Sequence, residues 1–367
     1  MSPFSEFDFQ MMSRAIFLAK KGIYTTAPNP NVGCVIARNG DIVGEGYHHR
    51  AGEPHAEVHA MRAAGNSSVG ATAYVTLEPC SHFGRTPPCA EGLIKAKVAR
   101  VVCAMQDPNP KVAGRGIAML RDAGIVVDVG LLEADAHALN PAFLKRMKTG
   151  LPFVQLKMAA SLDGQTALSN GVSQWITSPQ SRQNVQEYRA RSCAILSTSK
   201  TVIDDDASLN VRWSDLPSSI QSAYNESDVR QPVRVILDRK AELTKNLKIF
   251  NTPGDLIRVG QSGEITPKVI QQRIDLASTF QELVNSHNIN HLWVEAGATL
   301  ARSLIQDELV DELILYLAPK LMGSDGRGLF GALGLESMTE THKLAIQDLR
   351  QIGPDIRIVA TLIKKDK

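Results

Sequence analysis

The sequence predicts an α/β protein built as two domains. Three observations carry this. After an opening hairpin, helical segments alternate with short apolar strands as far as Leu131. The same alternation starts afresh at Pro152. A length of 367 residues is also more than one ordinary core organises.

Phe9, Met12, Ile16 and Ala19 recur at helical spacing over residues 8–21. Pro28-Asn29-Pro30-Asn31-Val32-Gly33 is a turn-rich lead into a strand over Gly33–Ala37. Asn39-Gly40 is a strong hairpin signal, with Ile42–His48 as the returning strand. Helices follow over Ala56–Ala64, Ala90–Lys97 and Ile117–Ala123, and strands over Thr72–Leu77, Ala99–Met105 and Val126–Leu131. Asn140 to Gly150 contains a basic, Gly-ended run that reads as a linker or a final helix, and the motifs divide into domains at residues 1–148 and 149–367.

In the second half, strands are expected at Phe153–Ala159, Cys193–Ser197, Val233–Asp238, Leu256–Val259, Leu292–Glu295 and Glu312–Pro319. Helices are expected at Pro179–Arg191, Phe280–His287 and Thr299–Gln306. Ile346–Leu349 and Ile356–Ile363 close as an antiparallel pair, while residues 214–231 and 260–278 are polar and read as surface loops.

The chemistry concentrates between His55 and Cys89. One His and two Cys, Cys80 and Cys89, make three protein ligands, the number a catalytic zinc keeps when its fourth position holds water. Glu57 stands two residues from His55, where it can take and give protons beside the metal. His-x-Glu followed by Pro-Cys and a second Cys is the signature of base-directed zinc deaminases. The spacing departs from the usual Pro-Cys-x-x-Cys, because eight residues, Ser81 to Pro88, separate the two sulfurs. The alternative is a structural zinc, which is usually closed by a fourth protein ligand. His59, one turn beyond His55, is the nearest candidate and reads as a helix-packing residue.

Composition excludes several classes. A net charge of +2 without a basic block argues against a nucleic-acid surface, and 5% aromatic content against base stacking by a tRNA enzyme. No stretch reaches the ~20 apolar residues of a membrane span. Five Cys, an odd number, do not form a disulfide framework, and Glu6 and Asp8 precede any apolar run, so neither a signal peptide nor a compartment other than the cytoplasm is expected.

The first half resembles the cytidine-deaminase superfamily. It is most similar to the deaminase domain of the bifunctional riboflavin-biosynthesis enzymes. Pro28 to Gly33, Gly52 to Glu57, Leu77 to His82, Gly84 to Cys89 and Asp107 to Pro110 carry the match, including the long insert. The resemblance implies a three-layer α/β/α domain. It assigns Asn29 to the pyrimidine and His82, Asp107 and Asn109 to the sugar phosphate. Asn29, Asn109 and Asp107 are also ordinary turn formers.

Lys157 to Gly164, Ser173 to Thr177, Thr201 to Arg212 and Trp293 to Gly297 resemble, in this order, the reductase domain of the same family, which is similar to dihydrofolate reductase and uses NADPH. That likeness places Ala159, Trp175, Thr201, Asp205 and the turn Gly297-Ala298-Thr299-Leu300 on the cofactor. It places Ser173, Arg189, Leu209, Arg212 and Glu295 on the substrate. Lys157 is the expected substrate-side group near the reacting carbon. Arg189 and Arg212 are expected as guanidinium forks for a phosphate monoester. Without the likeness, the Gly297 turn is a weak anion signal and lacks the Gly-x-Gly-x-x-Gly of a dinucleotide fold. Two departures stand out: Asp205-Asp206-Ala207 where the family often has Asp-Asp-Pro, and Gly297-Ala298-Thr299 where it has Gly-Pro-Thr.

The implied protein is a zinc- and NADPH-dependent bifunctional enzyme. It deaminates a phosphorylated pyrimidine and then reduces its ribosyl group. The implied partners are small molecules and, through the reductase domain, further copies of the chain. A deaminase of other specificity and a nucleotide-binding regulator are the rival readings; NADPH consumption separates the regulator.

Overall fold

The computed structural model describes residues 4–81, 87–110 and 112–363. The chain divides into two compact units between Gly150 and Leu151.

The first unit runs α1 (Glu6–Lys20), β1 (Gly33–Arg38), β2 (Asp41–Tyr47), α2 (Ala56–Ala64), β3 (Thr72–Val75), α3 (Cys89–Lys95), β4 (Arg100–Cys103), α4 (Arg115–Asp122), β5 (Val126–Val129), α5 (Glu133–Leu139) and α6 (Pro141–Thr149). Its sheet order is β2-β1-β3-β4-β5. β1 is antiparallel to both its neighbours, and β3, β4 and β5 are parallel. Strand side chains alternate between two cores, as a period of two requires. Val35, Tyr74 and Val102 pack with Met12 and Ala15 of α1, Ala136 of α5 and Leu144 of α6. Cys34, Ile36, Val75 and Val101 pack with Ala60 of α2, Leu93 of α3 and Leu120 of α4 on the other face. The result is three layers, α/β/α. Gly46 lets α2 press onto β2, since a Cβ there would stand 2.4 Å from the Ala56 carbonyl oxygen.

The second unit runs β6 (Phe153–Ser161), β7 (Gln165–Ala167), α7 (Pro179–Arg191), β8 (Ala194–Thr198), α8 (Ser199–Asp205), α9 (Ser218–Gln221), β9 (Val233–Leu237), β10 (Leu256–Val259), β11 (Val269–Ile270), β12 (Arg273–Ile274), α10 (Leu276–His287), β13 (His291–Glu295), α11 (Ala298–Gln306), β14 (Glu312–Ala318), β15 (Arg327–Gly328), β16 (Leu344–Ile352) and β17 (Asp355–Leu362). Its main sheet has the order β10-β9-β8-β13-β6-β14-β17-β16. The first six are parallel, and the β17–β16 hairpin closes one edge antiparallel. In such a sheet ligands bind outside the carboxyl ends of the parallel strands. Lys157 of β6 pairs in register with Glu295, the last residue of β13.

Several segments differ from the sequence expectation. Of the two readings of the basic run before Gly150, linker or final helix, the helix is the one formed, and α5 precedes it unannounced. α8 forms where no helix was expected, with Thr198 as its N-cap accepting from the Thr201 amide. Residues 214–231 are not a free surface loop: Ile220 and Tyr224 are buried, and the Trp213 indole donates to the Tyr224 carbonyl at 2.7 Å. Within 260–278, β11 and β12 form a hairpin whose two turn residues, Gln271 and Gln272, have φ of 48° and 62°. That is a two-residue type I′ geometry, reached here without glycine.

Candidate active sites

In the first unit, His55 is the N-cap of α2 and Cys89 the first residue of α3. The His55 Nδ1 lies 3.6 Å from the Cys80 Sγ and 3.3 Å from the Cys89 Sγ. All three ligand atoms fall within 4.8 Å of one another. Zinc bonds of about 2.1 Å to nitrogen and about 2.3 Å to sulfur, at a tetrahedral angle, put such atoms about 3.6 Å apart. The donor set therefore fits zinc in both chemistry and spacing. The Cys89 amide donates to the Cys80 Sγ at 3.3 Å, so the positive end of α3 faces a sulfur that must be a thiolate to ligate. Hydrogen bonds from Cys89 and then His55 draw the Cys80 thiol down to about 4, and the bond with Cys80 lifts His55 to about 8. The Cys89 thiol is pushed the other way by the same bond with Cys80.

Glu57 lies in the first turn of α2 and is buried. Its Oε2 has no hydrogen-bond partner among the described residues. Burial raises its pKa, against the attraction of His55. A carboxyl so placed can hold a proton nearer neutral pH than a surface glutamate can.

Glu78 braces the loop that carries Cys80. Its carboxylate accepts from the amides of Asp107 (3.1 Å), Gly114 (2.9 Å), Gly116 (2.9 Å) and Ile117 (3.3 Å). Gly116 must be glycine, because a Cβ there would sit 2.0 Å from the Pro79 carbonyl oxygen. The substrate-side expectations are placed as follows. Asn29 contacts the His48 Nε2 through its Nδ2 at 3.1 Å, and the His48 Nδ1 contacts the Pro54 carbonyl at 3.2 Å. His48, which sequence reasoning passed over, is buried with its ring 5.5 Å from that of His55. Asp107 accepts from the Asn109 amide at 2.8 Å, which is the local turn role its residue type allows. His82 lies outside the described residues. His59 stacks on His49 at 4.2 Å, the packing role expected of it.

In the second unit, a cavity of about 1550 Å3 opens at the carboxyl ends of the parallel strands. All the residues expected there line it: Lys157, Ala159, Ser173, Trp175, Arg189, Thr201, Asp205, Leu209, Arg212, Glu295 and Gly297 to Leu300. Leu209 is buried at φ 50°, a strained conformation for a branched residue and one that concentrates at functional sites. The N-terminus of α11 carries no side-chain cap, so its first amides remain for a ligand. The buried Arg302 Nε has no partner among the described residues, in the same wall. Cavity size, bare helix end and unpaired cation suit a phosphate-bearing nicotinamide dinucleotide.

Arg189, expected as one of two phosphate forks, also bonds to the protein's own groups. Its Nε and Nη2 donate to Glu295, and its Nη1 donates to the Asn210 carbonyl at 3.0 Å. Those donors are committed within the protein. Arg212 is exposed, lines the cavity and pairs with Asp215 through Nε. Burial would raise the Glu295 carboxyl, but the Arg189 charge and hydrogen bonds reverse this and hold it at about 2. Lys157 is half-buried and donates no hydrogen bond to any described residue, and desolvation lowers its pKa despite the nearby Glu295 charge. The two missing prolines acquire a reason. The Ala207 amide donates to the Val202 carbonyl at 3.2 Å, a bond proline cannot make. Ala298 is the first residue of α11, where proline is tolerated but not required.

Comparison with known proteins follows the same division. The cytidine and deoxycytidylate deaminase zinc-binding region matches residues 5–105, and the RibD C-terminal domain matches residues 152–358. The riboflavin biosynthesis protein RibD of Escherichia coli K12 is 52% identical over 95% of this chain and 98% of its own length. That of Haemophilus influenzae is 50% identical over 98% and 99%. Among solved structures, Acinetobacter baumannii RibD superposes with a TM-score of 0.90 at 44% identity, covering 98% of this chain and 99% of that one. A Thermotoga maritima diaminohydroxyphosphoribosylaminopyrimidine deaminase/5-amino-6-(5-phosphoribosylamino)uracil reductase gives 0.83 at 32% identity, covering 97% and 99%. Identity sustained along almost the whole chain, over both units and their chemistry, means that the chain belongs to the RibD family, the bifunctional deaminase–reductases of riboflavin biosynthesis.

Proposed function

We propose that the first unit removes the 2-amino group of 2,5-diamino-6-ribosylamino-4(3H)-pyrimidinone 5′-phosphate by hydrolysis. The second unit then reduces the ribosyl group of 5-amino-6-(5-phosphoribosylamino)uracil to ribityl with NADPH. His55, Cys80 and Cys89 would hold the zinc, which when bound lowers the pKa of a water molecule from about 16 to about 7. Glu57 accepts the proton of the attacking water at its unpartnered Oε2 and delivers it to the departing amine, so that ammonia leaves as the ring carbonyl forms. That free, buried oxygen beside the ligand cluster is the observation that carries the deaminase reading. Asn29 holds the pyrimidine, and His82, Asp107 and Asn109 the sugar phosphate.

In the reductase, NADPH supplies the hydride. Ala159, Trp175, Thr201, Asp205 and the Gly297–Leu300 turn border it, and Arg212 anchors the substrate phosphate. Lys157 orients the group on the reacting C1′, and the Arg189–Glu295 pair fixes the wall beside it. Most of the acceleration comes from holding donor and acceptor carbons in contact, worth up to roughly 7–11 kcal/mol in well-oriented systems.

The units serve as separate domains. The enzyme works in the cytoplasm, a reading supported by its free cysteines. It associates through the reductase, supported by exposed Leu344, Ile346 and Leu349 on the edge strand β16. Purified protein given the diaminopyrimidinone phosphate, with and without NADPH, tests the scheme by product mass. The deaminated product must form in both arms and the ribityl product in one.

A further inference from the structure

The cations that line the reductase cavity sort by their partners. Arg189, Lys200, Arg212 and Lys248 each pair with a carboxylate. Arg239, Arg273 and Arg302 line the same cavity and, like Lys157, Arg182 and Arg327, pair with no carboxylate among the described residues. A hydrogen bond draws the first two together, and a second ties them to the helix that carries the third. Arg239, just past β9, donates through Nη1 to the carbonyl of Gln272 in the β11–β12 turn. Arg273 follows Gln272 and donates through Nη2 to the Ser303 hydroxyl of α11 at 2.8 Å. Arg302 precedes Ser303; its Nη1 donates to the Ala332 carbonyl at 3.4 Å, and its Nε has no partner among the described residues. The cluster sits about 9 Å along α11 from its bare N-terminus, at 1.5 Å per residue. It is thus a patch of positive charge one nucleoside away from the amides that suit a pyrophosphate.

A nicotinamide dinucleotide with free ribose hydroxyls is usually met by a carboxylate, and one with a ribose 2′-phosphate by an arginine. The carboxylates lining this cavity are Asp204, Asp205, Asp206 and Glu295. Asp204, Asp206 and Glu295 pair with lysine or arginine, and Asp205 accepts from Gln174 at 2.8 Å. None pairs with the arginine cluster. We propose that Arg239, Arg273 and Arg302 receive the adenosine 2′-phosphate and make the enzyme select NADPH over NADH. The assignment rests on the cofactor reading above. The type I′ turn has a part in it, because it presents the Gln272 carbonyl that holds Arg239 beside Arg273.

The test is binding rather than turnover. Calorimetric titration of the full-length protein with NADPH, NADH, 2′,5′-ADP and 5′-ADP gives four affinities for the unsubstituted enzyme and for Arg239→Ala, Arg273→Ala and the double variant. Each single substitution is expected to weaken NADPH and 2′,5′-ADP by about tenfold, as loss of one charge-assisted contact does, while NADH and 5′-ADP stay where they were. Arg239 and Arg273 are exposed, so their removal does not open the core. If NADPH binds and the double variant keeps its full preference over NADH, the assignment is overturned and the cofactor reading stands. If the unsubstituted enzyme binds neither dinucleotide, the cofactor reading fails and takes the assignment with it.

Discussion

Arg189 and Glu295 meet as a two-pronged ion pair, Nε to Oε1 at 2.6 Å and Nη2 to Oε2 at 2.9 Å, across 106 residues of sequence. Both are largely buried, so removing one partner strands the other's charge. Arg189→Ala is expected to destabilise the reductase unit by about 3–5 kcal/mol. Arg189→Lys restores the charge but not the fork and recovers only part of it. Denaturant melts report the loss. A variant as stable as the parent but with a raised KM would return Arg189 to the phosphate.

For the deaminase, Glu57→Gln removes the proton carrier and leaves the three ligands. Zinc content should stay at one per chain, and the deamination rate should fall at least about a hundredfold. NADPH-dependent reduction of the deaminated substrate continues. Zinc lost along with Glu57, or activity retained, would show that the residue has another role.

Arg212 and Lys157 should separate kinetically. A phosphate anchor acts alike on ground and transition states, whereas a group at C1′ acts as charge moves. Arg212→Ala therefore raises KM, and Lys157→Ala lowers kcat. Burial puts the Lys157 pKa below its usual 10.5, and the protonated ammonium is the working form. Reductase kcat should accordingly fall, as pH rises, sooner than an ordinary lysine would dictate. Steady-state NADPH oxidation across the alkaline range measures this, and an unchanged kcat in Lys157→Ala leaves that residue a strand lysine only.

Asp8 predicts the acid limit of the first unit. It accepts from Arg100 at 2.7 Å and from the Tyr74 hydroxyl at 2.8 Å. Burial works against its charge, but these bonds prevail and lower it from 3.8 to about 2. The folded state thus favours the ionised form, contributing about 2 kcal/mol that is fully present above the unfolded pKa. That stability drains away as pH falls from about 4 to about 2. Asp8→Asn should lower the melting temperature at pH 7 and flatten its dependence on pH in that window.

What the sequence disclosed follows from how locally each feature is encoded. The Asn39-Gly40 hairpin and the helix at Ala56–Ala64 rest on neighbouring residues and appear as expected. The cluster of His55, Cys80 and Cys89 was legible because few side chains suit zinc. α5 and α8, at seven residues each, are too short to show a period. The commitment of Arg189 to Glu295 is tertiary and leaves no trace in either segment alone. Neither does the approach of Arg239 to Arg273, which the β11–β12 turn brings about.

The brace at Glu78 also bears on how specificity can change over generations. Cys80 is pinned through Glu78 and Pro79 to α4, and Cys89 is pinned as the first residue of α3. The eight residues between them join two points that are already fixed. Each doubling in length of such a connection costs only about 0.6 kcal/mol of closure entropy. Substitutions and insertions there can therefore be sampled without moving either sulfur. The metal chemistry is insulated from experiments in substrate choice, and a lineage can retune what it deaminates while still deaminating.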